Sequence, residues 1–99
     1  MRERIIIRIV PEGGDFILFF PDEVADNSGN VVSYMTIGEH GAASHAFYKT
    51  TLAVPTERQK EARRFIIDYV ARMASFYAKI GESYNPRVVC RWMYKEERE

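Results

Sequence analysis

This 99-residue chain is defined first by what it has little of. It holds one cysteine, Cys90, so no internal disulfide can form. That usage points to a reducing compartment, most simply a bacterial cytoplasm. No apolar run approaches the roughly 18 residues that cross a bilayer. The charged-then-apolar start "MRERIIIRIV" is broken by Arg8, and no small-residue cleavage site follows, so it does not read as a signal peptide. Net charge is also missing. Lys+Arg and Asp+Glu are 14 each, which removes any bulk pull toward nucleic acid or anionic membrane. There is no internal repeat, low-complexity tract or linker, so residues 1–99 are expected to form one domain.

What is present is ordinary for a globular chain: 46% hydrophobic and 28% charged residues. The charge is unevenly placed. Residues 9–48 hold six acids (Glu12, Asp15, Asp22, Glu23, Asp26, Glu39) and no Lys or Arg. Residues 57–79 hold six bases against three acids. One face or end is expected to be acidic and another basic.

Four strands and one long helix are readable. "RIIIRIV" (4–10) and "FILFF" (16–20) flank the turn "PEGGD", where Gly13 and Gly14 can take positive φ, and predict a β-hairpin. "VVSYMTI" (31–37) reads as a third strand and "RVVCRWMYK" (87–95) as a fourth, after the turn signal Asn85-Pro86. Between them, apolar residues recur in steps of three and four from Ala62 to Ile80, the period of an α-helix. Thr56 and Gln59 form a capping-box pattern, and Gly81 suits the stop position. The expected fold is α+β in two layers: a four-stranded, mostly antiparallel sheet in the order β-β-β-α-α-β, with the helices on one face.

The helix stripe is wide. Ile67, Ala71, Phe76 and Ala78 extend it beyond the one face a single sheet would cover, which predicts a second apolar neighbour, either the segment 43–52 or another copy of the chain. Strand alternation sends Ile5, Ile7 and Ile9 toward the helix. Arg4, Arg8, Arg87 and Arg91 then share the opposite face, a candidate surface for nucleic acid or other anions.

The stretch "YMTIGEHGAASHAFYKTT" (34–51) contains both histidines. His40 and His45 are five apart, whereas two ligands on one helix face sit four apart. Ser44 and His45 are adjacent, but adjacency does not make a triad without an oxyanion hole and a cleft. Cys90 falls on a core-facing strand position, the wrong setting for a nucleophile. No metal, cofactor or catalytic set is therefore assigned. Tyr34, Glu39, His40, His45 and Tyr48 remain as a candidate polar-aromatic contact cluster. Ala42, Ala43, Ala46, Phe47 and Leu52 are expected to lay a short helix on the core, with Ser44, His45, Tyr48 and Lys49 partly exposed.

Two segments, "FILFFPDE" and "YMTIGEHGAAS", together resemble a pattern in small bacterial proteins of Bacteroides-like or mobile-element contexts. In that pattern an FFPE-like strand end precedes a tyrosine-bearing strand and a G-[QE]-H-G turn. The matching positions are Phe19, Phe20, Pro21, Tyr34, Gly38, Glu39, His40 and Gly41. The resemblance implies a bacterial cytosolic origin and a recurring His40 turn, with no activity attached. Taken together, the chain is expected to be a non-enzymatic binding domain that forms a homodimer. Nucleic-acid binding by the arginine face is the second reading, and a small metal- or histidine-dependent enzyme at the 38–48 turn is the third.

Overall fold

A computed structural model describes residues 3–36 and 38–88. The β-branched start of the chain forms β1 (Arg4–Ile9), and the aromatic run forms β2 (Phe16–Val24). Their hairpin turn places Gly13 and Gly14 at φ 91° and 73°, a region that other residues enter only with strain. Strand β3 (Val31–Met35) and a short β4 (His40–Ala43) follow. Next come α1 (His45–Thr50), a 3₁₀ turn at Thr56–Arg58, α2 (Gln59–Ala78) and β5 (Arg87–Val88).

Among the described residues the sheet has five strands in the order β4-β3-β2-β1-β5. Neighbours are antiparallel except β1 and β5, which run parallel because the chain crosses along α2 before returning. The expected four strands therefore become five. The extra one is β4, whose His-Gly-Ala-Ala sequence has little intrinsic strand preference and is recruited by its ladder to β3. Strand β2 also runs on through Pro21, with a register shift between Phe20 and Val24, where a proline's missing N–H is tolerated. The fourth predicted strand is described only at Arg87–Val88; its remainder, with Cys90 and Arg91, lies outside the described residues.

The two helices do not share a face. Ile5, Leu18, Phe20 and Tyr34 pack with Tyr69 of α2 and with Tyr84. The alternate residues Ile6, Ile17 and Phe19 pack with Ala43 and with Tyr48 of α1. Because neighbouring strand residues point to opposite sides, α2 and α1 cover opposite faces. This explains why β2 is apolar on both sides: Phe16 to Phe20 are all buried.

Helix α1 is capped by Ser44, whose Oγ accepts from the N–H of Phe47 at 3.0 Å. Its inward residue is Tyr48, fully buried, while Phe47 and Leu52 are exposed, against expectation; Ala43 is buried and His45 and Lys49 are exposed, as expected. The inward turn is set by Arg8, which reaches from the sheet to donate to Thr51 Oγ1 (3.0 Å) and Thr51 O (2.8 Å) and lies over the Tyr48 ring. Helix α2 is one continuous rod of 20 residues. Its start differs from the capping box: Thr56 opens a 3₁₀ turn, with Arg58 N–H donating to Pro55 O, and no side chain caps it. Its end is as expected. Gly81, at φ 79°, donates to Ala78 O and Glu82 donates to Tyr77 O, the paired bonds of a Schellman stop.

Candidate functional site

The β3–β4 turn sets Tyr34 and His40 as cross-strand partners, with rings 4.9 Å apart. The turn closes through Gly38, at φ 88°, whose N–H donates to Met35 O at 2.9 Å. Helix α2 lays Tyr69 and Arg72, one turn apart, onto this pair. Tyr69 Oη meets His40 Nε2 at 2.9 Å, and Arg72 Nη1 donates to Tyr34 Oη at 2.7 Å. Tyr34 and Tyr69 are 4.6 Å apart and tilted, a favourable aromatic geometry. A cleft of about 310 Å³ opens beside them, lined by Tyr34, Thr36, Gly38, Asp68 and Arg72 among others.

Beneath α2 the polar seam continues. The Tyr69 and Tyr84 hydroxyls interact, and Tyr84 Oη donates to Glu3 Oε2 at 2.5 Å. Glu23, from β2, adjoins the Glu3 carboxyl. The seam thus runs from His40 on an edge strand through two tyrosines to Glu3 at the mouth of β1.

Burial governs its electrostatics. It lowers the pKa of His40, which opposes a smaller upward pull from Glu3, so the imidazole is neutral at pH 7. Burial also raises Tyr69 and Tyr84, keeping both as neutral hydroxyls. Glu3 is pushed up to about 7, first by burial and then by Glu23, while the Tyr84 hydrogen bond pulls the other way. Chemically, the His40 end offers a neutral imidazole, phenolic hydroxyls and a guanidinium, a set suited to hydrogen-bonding a polar or anionic partner.

The other expected site residues are dispersed. Glu39 is exposed in the β3–β4 turn. His45 opens α1 and Tyr48 is buried against the opposite sheet face, so neither joins Tyr34 and His40. Arg4 is held by Asp22 through contacts of 2.7 to 3.2 Å, which lowers the Asp22 pKa. Arg8 is buried under α1, and Arg87 is exposed beside Arg4. Among the described residues no three His, Cys, Asp or Glu side chains converge as a metal site would require.

Tyr69, Arg72, Tyr84 and Glu3 were not among the residues singled out by sequence reasoning. For Glu3 a signal existed: it shares strand parity with Ile5 and Ile7, which face α2. For Tyr69 and Arg72 the only cue was their spacing of three on the helix. No protein-family model matches the chain, and no curated protein or solved structure is significantly similar to it.

Proposed function

We propose that this chain is a small binding domain of a bacterial cytoplasm that self-associates through the exposed end of α2. One observation carries the reading: Phe76 in the last turn of α2 and Ile80 in the stop just after it remain 54% and 62% exposed. Phe65, Ile66, Val70, Met73, Ala74 and Tyr77 pack on the core under α2, and Phe76 lies outside that set. The apolar residues of the helix thus spread around more than the one side that the sheet covers. Shielding the part of one such side chain still in water contributes roughly 1–2 kcal/mol, a little over half the value for full burial, which favours a second copy over solvent.

Sedimentation velocity at micromolar concentration tests this. A dimer is expected for the native chain, and a monomer for the double variant Phe76→Glu/Ile80→Glu. A native chain that sediments as an 11.5 kDa monomer at every concentration removes the proposal.

Nucleic-acid binding through Arg4, Arg8, Arg87 and Arg91 draws less support, because Asp22 already engages Arg4 and Thr51 engages the buried Arg8. No described helix is long and apolar enough to cross a membrane.

A further inference from the structure

Glu3 stands apart from the contact surfaces. It is 9% exposed, and its Oε1 is a buried side-chain polar atom without a hydrogen-bond partner. Its other oxygen accepts from Tyr84, in the connection between α2 and β5. Its backbone carbonyl accepts from Arg87 N–H at 2.8 Å, next to the two residue pairs that hold β5 on β1. One residue therefore joins the start of β1, the α2–β5 connection and the edge strand.

We propose that the Glu3–Glu23 carboxyl pair is a proton-operated lock on this edge: a proton on Glu3 holds β5 and the Tyr84 connection in place, and its loss lets them open.

Among the described residues, the groups around Glu3 leave its charge uncompensated. Glu23 adjoins it from β2, Tyr84 from the connection, and Tyr69 and Tyr77 face it from α2. His40, on β4, is the one group among these able to carry positive charge, and its own burial favours the neutral ring. Arg4, the next residue in β1, is engaged by Asp22. An ionised Glu3 would still accept from Tyr84, and that bond, with a smaller pull from His40, favours the anion. Burial and the second carboxyl outweigh it, so the neutral acid is the form that fits. Glu3 immediately precedes the ladder at Arg4, so the least disruptive relief for its anion is to swing the strand end into water. That motion breaks both the Tyr84 and the Arg87 contacts.

The sign follows from proton linkage. Below pH 4.5 Glu3 is protonated whether the edge is closed or open, and opening does not depend on pH. Between 4.5 and about 7 only the closed form keeps the proton, so each pH unit favours opening by about tenfold. Above that range the dependence levels off.

Amide hydrogen exchange of Arg87, corrected for the intrinsic rate at each pH, measures this opening on the full chain. The amide of Leu18, deep in the β1–β2–β3 ladder, is the internal reference. The Arg87 opening constant is expected to rise steeply from pH 5 to 7 and to stay well above that of Leu18, which opens only with the whole domain and so shares the same proton linkage. In Glu3→Gln, which cannot ionise, the Arg87 slope is expected to vanish. In Glu23→Gln, which removes the like charge, the rise is expected to level off at a lower pH and to reach a smaller height. A native Arg87 opening constant that does not rise from pH 5 to 7 overturns the lock, as does one equal to that of Leu18 throughout, and so does a Glu3→Gln slope equal to the native one. Should Glu3→Gln fail to fold, an unmoved rise in Glu23→Gln overturns it equally.

Discussion

Arg8 and Glu3 are both charged residue types held away from water, and their surroundings treat them differently. Arg8 gives N–H groups to Thr51 and stacks its guanidinium over Tyr48. Arg8→Met preserves the apolar stem but leaves the Thr51 carbonyl without this donor. A loss of about 1–3 kcal/mol in urea-induced unfolding is expected, and a change below about 0.5 kcal/mol would contradict the role given to Arg8. Glu3 is kept neutral instead. Its contribution to stability is complete below pH 4.5 and is lost as the pH rises through about 7. Asp22 runs the other way: its contribution is present above the ordinary carboxyl value of 3.8 and lost as the pH falls. The melting temperature should therefore be highest near pH 4–5 and decline toward neutrality, and in Glu3→Gln that neutral-side decline should largely disappear. A native curve that rises steadily from pH 5 to 7.5 would refute this account.

At the scale of elements, local patterns were good guides wherever one face was buried and a turn was marked. The β1–β2 hairpin, the helix period and the Gly81 stop all appear where alternation, glycine pairs and periodicity placed them. Gly81→Ala puts a Cβ at positive φ and should cost about 1 kcal/mol, read as a lower thermal midpoint by circular dichroism. Strand β4 was not legible, because its residues are small and its pairing partner, β3, supplies the order. Helix α1 was placed roughly in sequence but turned the wrong way. An apolar Phe47 and Leu52 looked like the inward set, yet the buried cation Arg8 drew Tyr48 inside. A cation–aromatic contact across the 40 residues between Arg8 and Tyr48 has no local signature. Phe19 sits in the core beneath α1, with its ring edge-on to Tyr48 at 5.0 Å. Phe19→Ala should cost about 3–5 kcal/mol in chemical unfolding, and a cost under about 1 kcal/mol would mean that this second core is not a packed one.

For the whole molecule the question is how much apolar surface one sheet can shelter. The two faces of β2 are both covered, one by α2 and one by α1, so part of the surplus read from the sequence is satisfied inside a single chain. Ile67, Phe76 and Ile80 are among the side chains that are not. Association that buries them couples stability to concentration by mass action. The thermal midpoint should rise with protein concentration for the native chain and stay constant for Phe76→Glu. A native midpoint that does not move over a hundredfold range of concentration would argue that the helix end stays in water.

Alternation, periodicity and glycine positions are properties of neighbouring residues, so the strand faces of the hairpin, the length of α2 and its terminus follow from order along the chain alone. The candidate cluster was half visible for the same reason: Tyr34 and His40 bracket a marked turn. Which tyrosine of the helix meets His40, how Glu3 comes under Tyr84, and which face α1 covers depend on contacts between residues 29 to 81 positions apart. Such contacts are set by the packing of layers, where burial and hydrogen-bond satisfaction are decided together, and no short window of sequence contains both partners.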